Sequence, residues 1–127
     1  MATRDITAEE FEALITENDM VLVDFWADWC GPCKRFSPVF EASSEKHPDI
    51  VYAKVDTETA PELVSSAGIV SIPTLMAFRE GVLVFNQAGA LPAAGLEQVV
   101  ESVRNLDMDE VRKQIAVIEA CRRQNKS

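Results

Sequence analysis

The chain has 127 residues and a mass of 14.0 kDa, enough for one domain that buries about two-thirds of its unfolded surface without covalent staples. Hydrophobic residues make up 47% and charged residues 26%, which excludes a disordered chain. With 12 Lys and Arg against 21 Asp and Glu the formal charge is −9, so neither nucleic acid nor an acidic lipid surface is an expected partner, since both are held through Lys and Arg.

Residues 3–6 fit a short edge strand. Thr7-Ala8-Glu9-Glu10 has the spacing of a capping box, in which threonine and glutamate satisfy each other's free backbone donors. It opens a helix to about Asn18 with Phe11, Leu14 and Ile15 on one face. Val21-Leu22-Val23-Asp24-Phe25-Trp26 is apolar almost throughout, as a central strand covered on both faces should be. A helix is expected from about Cys33 to Lys46, with Pro38 inside it removing a backbone donor and kinking the axis. Residues 50–55 read as a further strand, and residues 59–67 as a short helix ended by Gly68. Strands over 74–78 and 82–87 meet at Arg79-Glu80-Gly81 as a hairpin. Pro92 suits the first turn of a helix to about Asn105. The order β-α-β-α-β-α-β-β-α implies an α/β fold, a mixed central sheet with helices on both sides.

Residues 107–127 form an addition to this unit of residues 1–106. Asp107 to Glu110 repeats the signature of a helix start, and Met108, Val111, Ile115 and Ile118 recur at helical spacing. Arg122, Arg123 and Lys126 then lie at the negative end of the dipole. The apolar stripe needs cover, and docking on its own domain is expected ahead of a second copy. No apolar run approaches the ~18 residues of a membrane span. The first seven residues lack the apolar stretch of a secretion signal, so a cytoplasmic setting is expected.

The chemistry points to the cysteines. There are three, an odd number that cannot close a disulfide framework. Two stand together in Cys30-Gly31-Pro32-Cys33, at the junction between a strand and a helix, and Cys121 is remote. A helix N-terminus presents unpaired N–H groups and the positive end of the macrodipole, which stabilise a thiolate. Three residues on, Cys33 falls on the same face, about 5–6 Å away at Cβ and close to disulfide reach. The pair can therefore alternate between dithiol and disulfide. Cys30, expected nearer the surface, would attack a client disulfide, and Cys33, expected to be more buried, would resolve the mixed disulfide. Gly31 permits close approach, and Pro32 stiffens a turn where an N–H is not missed. A zinc site needs about four nitrogen or sulfur ligands; only His47 and Cys121 remain, at no suitable spacing, so no metal is expected. Asp24 interrupts the apolar strand. It is either a solvated edge residue pairing with Lys54, or a buried carboxyl with a raised pKa able to move a proton near pH 7; its place just upstream of Cys33 favours the second.

The segment from Asp24 through Trp26, Trp29-Cys30-Gly31-Pro32-Cys33-Lys34, Pro38 and Ser71-Ile72-Pro73-Thr74 resembles the bacterial thioredoxin family over residues 3–106. The resemblance implies the thioredoxin fold, three-layer α/β/α, with residues 107–127 as an added C-terminal helix. It implies that Cys30 attacks, Cys33 resolves, Asp24 takes the proton of the resolving thiol and Lys54 stands beside it. Pro73 matches a cis-proline facing the disulfide, and Ile72 would offer backbone groups to an extended client. Trp29, Gly31, Pro32, Ile72, Pro73 and Gly89 would form the client-docking surface, with Trp26 packing behind it and Phe25, Phe40 and Phe78 in the core. The implied activity is reduction of client protein disulfides, with an NADPH-dependent thioredoxin reductase as recycling partner. Flavin and nicotinamide would belong to that partner, and no cofactor is expected here, where no dinucleotide fingerprint occurs. The alternatives are a redox partner of a single client and a non-catalytic thioredoxin-like interaction module. Cys121 reads as a bystander thiol and His47 as a solvated loop residue.

Overall fold

A computed structural model of the chain describes residues 2–124. The elements are β1 (Thr3–Asp5), α1 (Ala8–Glu17), β2 (Met20–Trp26), α2 (Gly31–Lys46), β3 (Val51–Asp56), α3 (Pro61–Ala67), β4 (Thr74–Arg79), β5 (Val82–Ala88), α4 (Ala93–Arg104) and α5 (Met108–Gln124). The strands form one mixed sheet in the order β1-β3-β2-β4-β5. β3 runs parallel to both β1 and β2, while β4 is antiparallel to β2 and to β5. The hairpin turns on Glu80 and Gly81, both at positive φ (51° and 81°). That pair of conformations matches the right-handed strand twist, and glycine adopts it without a Cβ penalty.

β2 lies at the centre, and its alternation separates two cores. Val21, Val23 and Phe25 point toward α1 and α3, packing with Leu14, Val55, Met76 and Phe78. Met20 and Leu22 point toward α2 and α4, packing with Phe36, Phe40, Tyr52, Leu96 and Val100. Period 2 therefore places Asp24 on the α2 side. Phe25, Phe40 and Phe78 are all buried, as expected of core residues.

Several boundaries differ from the sequence reading. α2 begins at Gly31 rather than near Cys33, because Cys30 is itself the N-cap: its sulfur accepts from the Cys33 N–H. Pro38 sits inside α2 without ending it. α3 begins at Pro61, whose fixed φ suits the first turn, and Pro92 is the extended N-cap of α4 (ψ 163°) rather than part of its first turn. His47 is not a free loop residue. Its Nε2 lies 2.7 Å from Glu97 Oε1 and its Nδ1 lies 3.2 Å from Arg104, so it ties the end of α2 to α4.

The C-terminal helix forms, capped by Asp107, whose Oδ1 accepts from the Glu110 N–H. The expected docking of its whole apolar stripe does not occur. Met108 is buried and Val111 and Ile115 are half-buried, but Val117 and Ile118 are more than half exposed. Arg112 pairs with Glu80 at the hairpin, so only the first turns engage the body. The residues of the stripe do share a face, but a helix of 17 residues runs on past the surface that its start touches. Lys126 lies outside the described residues, and Cys121 is exposed. No helix of the described residues is long and apolar enough to cross a membrane.

Among the described residues, removing everything after Leu106 deletes one buried side chain, Met108, and one surface ion pair to the body, Arg112–Glu80. The loss expected is about 1–3 kcal/mol of stability with cooperative unfolding retained, measured by urea denaturation; loss of the cooperative transition would show instead that α5 is integral to the core.

Candidate active site

Cys30 and Cys33 are joined as a disulfide with their Cα atoms 5.2 Å apart. The Cys33 N–H points at Cys30 Sγ at 3.1 Å. This is an N-cap interaction with sulfur as the acceptor, and it strengthens when the sulfur carries a negative charge. The dipole of the 16-residue α2 acts in the same direction. The Ile72 carbonyl lies 3.7 Å from Cys30 Sγ, a contact in the disulfide and an acceptor for the thiol once reduced. Cys33 is the more buried of the two, as expected, but by a narrow margin: Cys30 is 4% exposed and Cys33 3%. The closed disulfide packs both sulfurs against Ala27, with Trp26 and Ile72 around them. The two cysteines differ in what they face rather than in depth. Cys30 is flanked by the exposed Trp29, Gly31 and Pro32, whereas Cys33 lines an inner cavity.

That cavity, about 190 Å³, is bounded by Asp24, Trp26, Ala27, Asp28, Cys33, Lys34, Ser37 and Lys54. Asp24 has 0% exposure, and neither carboxyl oxygen has a hydrogen-bond partner. Asp24 is therefore not a solvated edge residue. Lys54 is its partner in register on β3, but the Lys54 ammonium donates to Ser37 Oγ at 2.9 Å and lies 5.4 Å from the centre of the Trp26 ring. Burial pushes the Asp24 carboxyl up to about 7, with the Lys54 charge pulling the other way. Desolvation outweighs attraction because no donor touches the carboxylate.

The Ile72–Pro73 peptide bond is cis. Gly89, at φ 105°, donates its N–H to the Pro73 carbonyl at 2.8 Å, which fastens the end of β5 to the loop before β4. Trp29 is 70% exposed, its indole N–H donating to Glu58 Oε1. Ser37, Glu58 and the exposed Val70 were not singled out from sequence. Ser37 was the accessible one, four residues after Cys33 and so on the same helix face; the reach of Glu58 to Trp29 depends on the turn after β3 and had no local signal.

Comparison with known proteins agrees with this geometry. The thioredoxin family model matches residues 2–102. The chain is 56% identical over 115 residues to a Streptomyces coelicolor protein provisionally named thioredoxin 2, covering 91% of this chain and 86% of that one. It is 42% identical over 109 residues to a Mycobacterium tuberculosis thioredoxin, covering 84% and 94%. Among solved structures, a Halobacterium salinarum thioredoxin mutant superposes with a TM-score of 0.77 at 34% identity, over 82% of this chain and 92% of that one. A Plasmodium falciparum thioredoxin superposes with a TM-score of 0.73 at 36% identity, over 78% and 97%. With family, fold and an adjacent cysteine pair in agreement, this chain belongs to the thioredoxin family and is a thiol–disulfide oxidoreductase that reduces the disulfides of client proteins.

Proposed function

We propose that the exchange proceeds with distinct roles for the residues of the site. In the reduced protein the Cys30 thiolate, favoured by the α2 dipole and the Cys33 N–H, attacks a client disulfide. A Cys30–client disulfide forms and the client's first sulfur leaves as a thiolate. Cys33 then gives its proton to the Asp24 carboxylate across the shared cavity, and its thiolate attacks Cys30 Sγ. The Cys30–Cys33 bond forms, and the second client sulfur leaves. Two electrons pass to the client and this chain ends oxidised. Lys54 tunes the charge on Asp24. Trp29, Gly31, Pro32, Ile72, Pro73 and Gly89 form the docking surface, on which backbone groups of Ile72 pair with an extended client segment. The observation that carries this reading is the buried, unpartnered Asp24 carboxyl on the cavity that Cys33 also lines.

Each turnover leaves a disulfide, so a two-electron donor must restore the dithiol. An NADPH-dependent thioredoxin reductase in the cytoplasm fits that need, and the flavin and nicotinamide reside on that partner. Residues 1–106 carry the whole exchange, and residues 107–127 are an appended helix.

Cys30→Ser is expected to reduce insulin-disulfide reduction to the uncatalysed rate, while Cys33→Ser traps mixed disulfides visible by mass spectrometry; turnover by Cys30→Ser would overturn the assignment of the attacking sulfur. In a coupled assay, NADPH oxidation by a bacterial thioredoxin reductase should depend on added chain, and independence from it would remove the proposed partner.

Asp24 gives a pH-dependent expectation. Its folded pKa is raised from an ordinary 3.8 to about 7. Between those values the folded state holds a proton that the unfolded state has shed, so stability falls as pH rises through this window and stays lower above it. Asp24→Asn carries no such penalty. It should stabilise the oxidised protein by up to about 4 kcal/mol at pH 8 and by much less below about pH 3, where both states hold the proton. Release of reduced client should slow and lose its dependence on pH between 6 and 8. Equal urea midpoints for mutant and parent at pH 8 would contradict the burial argument.

A further inference from the structure

Ser37 stands beside the exchanging groups without touching either sulfur in the described hydrogen bonds. It lies on α2 one turn beyond Cys33, half-buried, and lines the same cavity as Asp24 and Cys33. Its oxygen accepts from Lys54 Nζ at 2.9 Å. A hydroxyl that has accepted one hydrogen bond still has its own proton to donate. Lys54 is thereby held at two points, by Ser37 and by the face of Trp26. Without the first, a flexible four-carbon stem is free to turn its strongly hydrated ammonium outward to water.

We propose that Ser37 is a positioning residue for the proton exchange between Cys33 and Asp24: its hydroxyl oxygen pins the Lys54 ammonium at the cavity that both groups line. The effect rests on the reading of Asp24 as the proton acceptor. The charged groups facing that cavity are Asp28 after β2, Lys34 on α2 and Lys54 on β3; the β4 neighbour of Asp24, Leu75, is apolar. Of these groups Lys54 alone is bonded to Ser37 among the described hydrogen bonds. Loss of the hydroxyl should therefore act on Asp24 through Lys54. An ammonium that drifts outward attracts the carboxylate less, so the carboxyl keeps its proton to higher pH.

The direct test is titration of the Asp24 carboxyl carbon by NMR in the oxidised full-length protein. Ser37→Ala is expected to raise the Asp24 midpoint by about half a pH unit, the size expected when one nearby charge moves into solvent. Ser37→Thr, which keeps a hydroxyl, should restore the parental midpoint. In a Lys54→Met background Ser37→Ala should add no further shift. Rates of mixed-disulfide resolution should follow the same displacement, slowing about threefold at pH 6.5 in Ser37→Ala. A hydroxyl with only a packing role would change the unfolding midpoint and leave the titration where it was. An unchanged or lowered Asp24 midpoint in Ser37→Ala, or a shift that persists in Lys54→Met, overturns the proposal. The reading of Asp24 fails separately, by a resolution rate in Asp24→Asn whose pH dependence matches the parent.

Discussion

The placement of one carboxyl group inside the central strand governs the site. Burying a carboxylate without a donor costs several kcal/mol, and Asp24 is fully buried in a strand covered on both faces. The alternation that puts Val21, Val23 and Phe25 against α1 and α3 turns Asp24 to the opposite face, where α2 begins. The sheet register brings Lys54 alongside, yet the ammonium bonds to Ser37 rather than to the carboxyl. The outcome is a group that holds its proton at pH values where an exposed aspartate has long lost it. A strand whose remaining positions are Met, Val, Leu, Phe and Trp can carry this penalty because those side chains supply the compensating apolar burial.

The two sulfurs acquire different chemistry from opposite ends of this arrangement. Cys30 caps α2, and the N–H directed at its sulfur favours the anion. Cys33 lies within the helix and faces the cavity of Asp24. Depth does not separate them, since both are nearly inaccessible; orientation does. Gly31 and Pro32 fit this role because they occupy the first turn, where a missing side chain and a missing N–H cost little.

Much of this was legible in the chain itself. The capping box at Thr7 appears as both reciprocal hydrogen bonds, because that motif is complete within four residues. The strand of residues 21–26 was readable as central because it lacks polar alternation, and Asp24 stood out against that background. Features set by packing between distant segments were harder to read. His47 joins Glu97 and Arg104 only because α2 and α4 share a face of the sheet. The start of α2 was placed two residues late because a cysteine is an uncommon N-cap. The cover of the last helix was misjudged because periodicity fixes which side chains share a stripe but not how far the surface beneath it extends.

The near-complete enclosure of both sulfurs also bears on selectivity. Cys30, 4% exposed in the disulfide, offers an incoming thiol little surface to approach from bulk solution. Reopening the bond then calls for a partner that can bring its own sulfur against this narrow opening. Access to that step is therefore set by shape as well as by redox potential.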